Sequence, residues 1–107
     1  MARYITLARY TPEGAKAVLK ESATAREAAI RRLFEASGGK LEAMYWMSGK
    51  YNVVTIGDIS DDATGAVLQL AVQSAGFAGE FETIPLLSAD DVDKARAKAT
   101  YYKPPSA

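Results

Sequence analysis

The chain contains no cysteine and no histidine among its 107 residues. Structural zinc sites, thiol nucleophiles, Ser-His-Asp triads and histidine-ligated haem each need one or the other, so the sequence excludes all of them. Without cysteine there is no disulfide framework of the kind exported domains use. Met1-Ala2-Arg3-Tyr4 leads directly into a strand-like pattern with no apolar signal core. No apolar run approaches the roughly 20 residues of a membrane span, and a cytoplasmic location is the expectation. An excess of charge is missing too, because 13 Lys and Arg balance 13 Asp and Glu. Nucleic-acid binders carry a basic excess or stripe. The nearest approach to one is Arg26, Arg31 and Arg32, but Glu27 and Glu35 interleave with them at helical spacing, as on a solvated, self-paired face. Neither nucleic acid nor a membrane is expected as a partner.

What is present is a globular composition, 49% apolar and 24% charged, in a length that suits one domain. Residues 1–100 read as that domain, and residues 101–107, with Pro104-Pro105, as a C-terminal tail. The β-favouring run Arg3 to Tyr10 predicts a first strand, stopped by Thr11-Pro12. Thr11 is placed to cap a short helix opened by Pro12, with Ala15, Val18 and Leu19 on its apolar side. Thr24-Ala25-Arg26-Glu27 has the form of a second helix start, giving either one kinked helix or two in succession. That second helix carries Ile30, Leu33 and Phe34 on one face and ends at Gly38-Gly39.

Lys40 to Ser48 predicts a strand with Leu41, Ala43, Tyr45 and Met47 in one row and Glu42, Met44, Trp46 and Ser48 in the other. Gly49-Lys50-Tyr51-Asn52 separates it from a third strand, Asn52 to Asp58, as a hairpin. Ser60 with Asp61 and Asp62 opens a helix with Ala63, Val67, Leu70, Ala71 and Ser74 at helical spacing, ending at Gly76. A fourth strand spans Glu80 to Leu86, and Ser88 opens a last helix through about Thr100, with Val92, Ala95 and Ala99 as its stripe.

This order implies an α+β fold, a ferredoxin-like βαββαβ antiparallel sheet with helices on one face plus a C-terminal helix. The other face needs a second cover, because Val53, Val54, Thr55 and Ile56 favour β structure throughout and both rows of the second strand hold large apolar groups. Another copy of the chain, sheet against sheet, is the expected cover, making a homo-oligomer, dimer or higher.

Three segments carry a family resemblance: Ala2-Arg3-Tyr4-Ile5-Thr6-Leu7, Gly38-Gly39-Lys40-Leu41-Glu42-Ala43-Met44-Tyr45-Trp46 and Gly49-Lys50-Tyr51-Asn52-Val53-Val54. Together with Thr83-Ile84-Pro85-Leu86-Leu87, they resemble the GYD-domain proteins, named for a Gly-x-Tyr-Asp element. The resemblance implies a fold of the dimeric α/β-barrel type and brings no assigned activity. Here the last motif position is Asn52, which removes the carboxylate that acid/base chemistry there would require. The motif then reads as a turn device, with Gly49 for positive φ, Tyr51 for packing and Asn52 for a local hydrogen bond.

Candidate pocket residues on the sheet are Tyr4, Thr6, Tyr45, Trp46, Tyr51 and Asn52, an apolar set carrying hydroxyl, amide and indole groups. The competing reading makes the aromatics core and interface residues. Asp58, Asp61, Asp62, Asp90 and Asp91 stand beside helix starts and lack calcium-loop spacing, so no metal site and no cofactor is expected. A haem would have only tyrosine or methionine as ligand, and Glu42, Glu80 and Glu82 are the acids whose surroundings bear on acid/base chemistry. The function favoured is a self-associating, non-catalytic structural or interaction domain. The alternatives are a small-molecule-binding protein with a cavity of roughly 300 Å³ or more, or a cofactor-independent oxygenase- or isomerase-like enzyme with a tyrosine, asparagine or tryptophan aimed into such a cavity.

Overall fold

A computed structural model describes residues 2–106, so the expected domain start at Met1 and the tail end at Ala107 lie outside the described residues. The elements are β1 (Ala2–Tyr10), α1 (Pro12–Glu21), α2 (Ala23–Ala36), β2 (Lys40–Trp46), β3 (Val53–Ile59), α3 (Asp62–Ser74), β4 (Ala78–Leu86) and α4 (Ala89–Ala95), followed by a 3-10 helix (Arg96–Tyr101). The four strands form one antiparallel sheet in the order β2-β3-β1-β4. That order is the ferredoxin-like outcome of two crossovers around a hairpin. Pro85 fits because β4 lies at the sheet edge, where a missing N–H breaks no ladder.

The helix starts follow capping chemistry. Thr11 Oγ1 accepts from Gly14 N, and its own hydroxyl and N–H donate to the carbonyls of Gly76 and Phe77. One threonine thus ties the start of α1 to the loop before β4. The second helix begins earlier than the capping-box pattern at Thr24 implies, because Ser22, with φ 115°, supplies the cap and accepts from Ala25 N. Two helices in succession result. Gly38 takes φ 85° after α2 and Gly76 takes φ 78° after α3, the left-handed stops that a Cβ would resist. At the acidic starts, Asp61 rather than Ser60 caps α3 through Thr64 N, and Ser88 with Asp91 forms a capping box on α4. Bonds from Thr64 hold the Asp61 carboxyl below its ordinary range.

Three expectations from periodicity are corrected. A register shift between Leu41 and Ala43 breaks the alternation of β2, so Leu41 shares the helix-side face with Met44 and Trp46. Leu41 is the fully buried centre of the core, which joins Ala8, Met44 and Val53 to Tyr10, Ile30, Phe34 and Phe81. On α3 the inward side is Leu68 and Val72, while Val67 and Leu70 are exposed. Both sides of that helix are apolar, so periodicity alone does not choose between them. The last helix stops at Ala95 and continues as 3-10 turns.

The C-terminal stretch does not fold back. Every described residue from Glu82 onward is exposed, and the main packing of α4 is on the 3-10 helix after it. The radius of gyration is accordingly 17.1 Å with a long axis of 57 Å, against about 13 Å for a compact chain of this length.

Gly14 and Gly65 generate opposite expectations. A Cβ on Gly14 would run into the Phe77 carbonyl, whereas one on Gly65 would meet only the Ile59 side chain at 3.7 Å. Gly14→Ala should therefore lose about 1–3 kcal/mol of stability in urea denaturation, and Gly65→Ala should gain about 0.5–1 kcal/mol. Equal effects at the two positions would contradict this packing.

Candidate functional site

The two faces of the sheet differ in what covers them. In the helix-side row across the strands, Met44 pairs with Thr55, Thr55 with Thr6, and Thr6 with Thr83. Three hydroxyls therefore lie side by side at the centre of the sheet, with Thr6 Oγ1 and Thr83 Oγ1 3.5 Å apart. Above this row α2 and α3 stand apart, leaving a cavity of about 380 Å³ between them and the sheet. Its walls are Ala29, Ile30, Leu33 and Phe34 of α2, Leu68, Ala71 and Val72 of α3, and Phe77 and Phe81 near the start of β4. Polar groups are few: the threonine row, Gln69, Tyr10 and Arg26.

Arg26 is the one charged residue in this lining. It occupies the inward stripe of α2 because 26, 29, 30 and 33 recur at helical spacing. Its Nε is buried without a hydrogen-bond partner among the described residues, while Nη1 lies 3.8 Å from Glu21 Oε1 at the rim. The Tyr10 phenol is raised from its ordinary value chiefly by burial, with Arg26 opposing the shift and Glu21 adding to it. The expectation that Arg26, Arg31 and Arg32 share one solvated face is corrected. Arg26 turns to the cavity, and Arg31 Nη1 donates to the Leu41 carbonyl at 3.0 Å. Arg32 alone of the three is exposed.

The candidate pocket residues are not brought together. Thr6 is on the cavity floor. Tyr4 shares its face but pairs with Gly57 and Pro85 outside the lining, and Trp46, also on that face, stacks on Tyr10 at 5.9 Å. Tyr45 pairs with Val54 on the opposite face and is 63% exposed. The Tyr51 hydroxyl reaches Glu82 Oε2, at 3.0 Å, whose strand position also faces away from the helices. Asn52 closes the hairpin. Residues missing from the expected set are Thr55 and Thr83, each register-paired with Thr6, and Tyr10, Arg26 and Gln69. Hydroxyls at inward strand positions, and an arginine in step with Ile30 and Leu33, are the signals in the sequence that mark three of them.

The Gly49 to Asn52 segment acts at longer range than a turn. Gly49 has φ 137°, and Met47 N donates to the Asn52 carbonyl at 2.7 Å, closing the hairpin. The bond of the Asn52 side chain is not local: Oδ1 accepts from Tyr10 N at 2.9 Å, and Asn52 N donates to the Ala8 carbonyl at 2.9 Å. The register of β1 on β4 shifts between Ala8 and Tyr10, and the amide oxygen serves the N–H at that shift. An aspartate would offer the same acceptor.

The GYD domain family matches this chain over residues 4–95. The chain belongs to it. No curated protein and no solved structure matches. At Asn52, where the Gly-x-Tyr-Asp element that this segment resembles has its acid, the contact asks for an acceptor rather than a charge.

Two measurements test this segment. Asn52→Asp should keep its stability near neutral pH, and Asn52→Leu should lose about 1–3 kcal/mol in urea denaturation because Tyr10 N–H is left without a partner. Equal losses would remove the acceptor role. For Tyr51, the bond it donates to Glu82 raises the phenol above its ordinary value, with desolvation and the Glu82 charge adding to the effect. A raised folded value stabilises below the ordinary tyrosine pKa of about 10, and that contribution is lost as pH rises through the folded value. Difference-absorbance titration against Tyr51→Phe should show this phenol titrating late, and Glu82→Gln should bring it down.

Proposed function

We propose that this GYD-domain chain is a self-associating structural or interaction protein, without catalysis of its own, that pairs with a second copy through the open face of its sheet. The observation that carries the reading is that face. Ala43, Ile56, Ile5 and Ile84 are register neighbours in one row across all four strands, with Tyr45, Val54, Leu7 and Glu82 in the next, on the side turned away from the threonine row that α2 and α3 cover. An apolar sheet face left to water is unusual, since antiparallel sheets that face water carry polar residues on that side.

The ends of the face are polar and carry both signs. At one end Arg3 pairs with Glu42 at 2.8 Å and with Asp58 at 3.1 Å. At the other, Arg9 Nη1 donates to the Lys50 carbonyl, and Lys50 stands 3.9 Å from Glu80. An apolar centre with a mixed-charge rim is the anatomy of a protein interface. With both signs at each end, acids of one copy can meet bases of the other.

Area argues for a contribution from the arm after β4. Strands about 4.8 Å apart and about 23 Å long give a planar footprint of roughly 440 Å². A standard interface buries about 800 Å² on each partner. Leu87, Val92, Tyr101 and Tyr102 are 53–87% exposed on a segment whose described residues are all exposed, and they supply further apolar surface to a partner copy.

No helix among the described residues is long and apolar enough to cross a membrane, and a cytoplasmic setting is part of the proposal. A small-molecule-binding reading has its own observation, the cavity under α2 and α3, which exceeds the roughly 300 Å³ such a site needs.

Sedimentation velocity tests the assembly. The chain should sediment as a dimer or larger at micromolar concentration, and Ile5→Lys should give a folded monomer by circular dichroism, since a buried unpaired charge opposes association. A monomeric unsubstituted chain would overturn the proposal.

A further inference from the structure

The cavity between α2, α3 and the sheet is independent of the open face, since it lies on the other side of the strands. Its volume of about 380 Å³ is within the range of roughly 300–1,000 Å³ that small-molecule sites occupy. Such sites are mostly apolar with a few placed polar groups, and this lining has that make-up. The hydroxyls of Thr6 and Thr83 lie 3.5 Å apart, leaving acceptor and donor capacity for a guest.

Arg26 gives the site its sign. A guanidinium keeps its proton in proteins and offers donors in a planar fork that matches a carboxylate. Here Nε has no partner among the described residues, and the carboxylate nearest the group stands 3.8 Å from a different nitrogen. An unserved donor on a fixed positive charge, beside walls of leucine, isoleucine, valine and phenylalanine, fits a guest with an anionic head and an apolar body. A neutral hydrocarbon leaves the donor unpaired, and an organic cation meets like charge.

We propose that this cavity binds a small amphipathic carboxylate, its hydrocarbon or aromatic body between α2 and α3 over the threonine row and its carboxylate on Arg26. Glu21 holds one terminal nitrogen of Arg26 loosely at the rim, so a carboxylate meets the guanidinium without displacing a close ion pair. The Tyr10 ring, stacked on Trp46, closes one side.

The test is a nuclear magnetic resonance titration of the full-length chain with decanoate, and with 1-decanol and decylamine as matched neutral and cationic probes. Decanoate should saturate at one per chain and shift the methyl signals of Ile30, Leu68 and Val72. Arg26→Met, at a partly exposed position, should fold and weaken decanoate at least tenfold while leaving decanol unchanged. Ala29→Phe should block decanoate and decanol together by filling the cavity. If that variant does not fold, Thr6→Val, which keeps the volume and removes one floor hydroxyl, should still weaken decanoate. The proposal is overturned if Arg26→Met binds decanoate as the unsubstituted chain does, if decylamine binds as tightly, or if the shifts fall on Ile5, Ile56 and Ile84. Sedimentation of the same samples reports the assembly separately, so failure of one proposal is not read as failure of the other.

Discussion

The side chain of Asn52 stands where the sheet is most exposed to error. β1 is a central strand, and its pairings with β3 and β4 join the two halves of the fold. Near its end the register on β4 shifts, which turns the N–H of Tyr10 out of the regular ladder. A half-buried donor without an acceptor costs about 1–3 kcal/mol, and a carbonyl from the β2-β3 hairpin meets it instead. Because the same residue donates its own N–H to Ala8, the hairpin and the first strand are fastened at two points on one residue. Strand register depends on this fastening, and a slip of one residue would send Thr6, Ala8 and Tyr10 to the other face.

From that register follow two unlike surfaces on one thin layer. The helix side has a packed core around Leu41 and, next to it, a space that α2 and α3 do not close. Small residues hold that space open: Ala29 on one helix, Gly65 and Ala71 on the other and Ala75 just after it, with threonines rather than leucines beneath them. The opposite side has its large aliphatic residues in consecutive rows and its charges at the ends and, as Glu82, on the edge strand. A single layer of backbone separates a surface suited to a flat protein partner from a concavity suited to a compact guest.

The element order is legible in the residues because the breaks are chemical. Thr11-Pro12, Gly38-Gly39 and Gly76 each end an element for a reason local to that residue, and the structure has them there. Facing is less legible. In β2 one extra residue at Glu42 inverts the alternation before it, so Leu41 reads as a partner of Tyr45 and lies instead beside Met44. In α3, apolar residues surround the axis, and only the strands beneath it select Leu68 and Val72. The cavity depends on both, and on an arginine that has Glu27 beside it in sequence and only uncharged residues at helical spacing. The long bond from Asn52 to Tyr10 joins residues 42 apart, a distance at which turn preferences say nothing.

The arm that follows β4 has one further consequence. α4 is a helix of seven residues, and helices that short are not self-supporting in water, because nucleation is unfavourable and too few hydrogen bonds follow it. The capping box at Ser88 and the ion pair of Asp90 with Lys94 at 3.0 Å favour the helical form locally, at a few tenths of a kcal/mol for such an exposed pair. Its order in water therefore calls for a further surface to pack on. If a second copy provides that surface, folding of the last fifth of the chain becomes a bimolecular event, governed by protein concentration through mass action. The arm then makes the molecule's own abundance the variable that decides how much of it is folded.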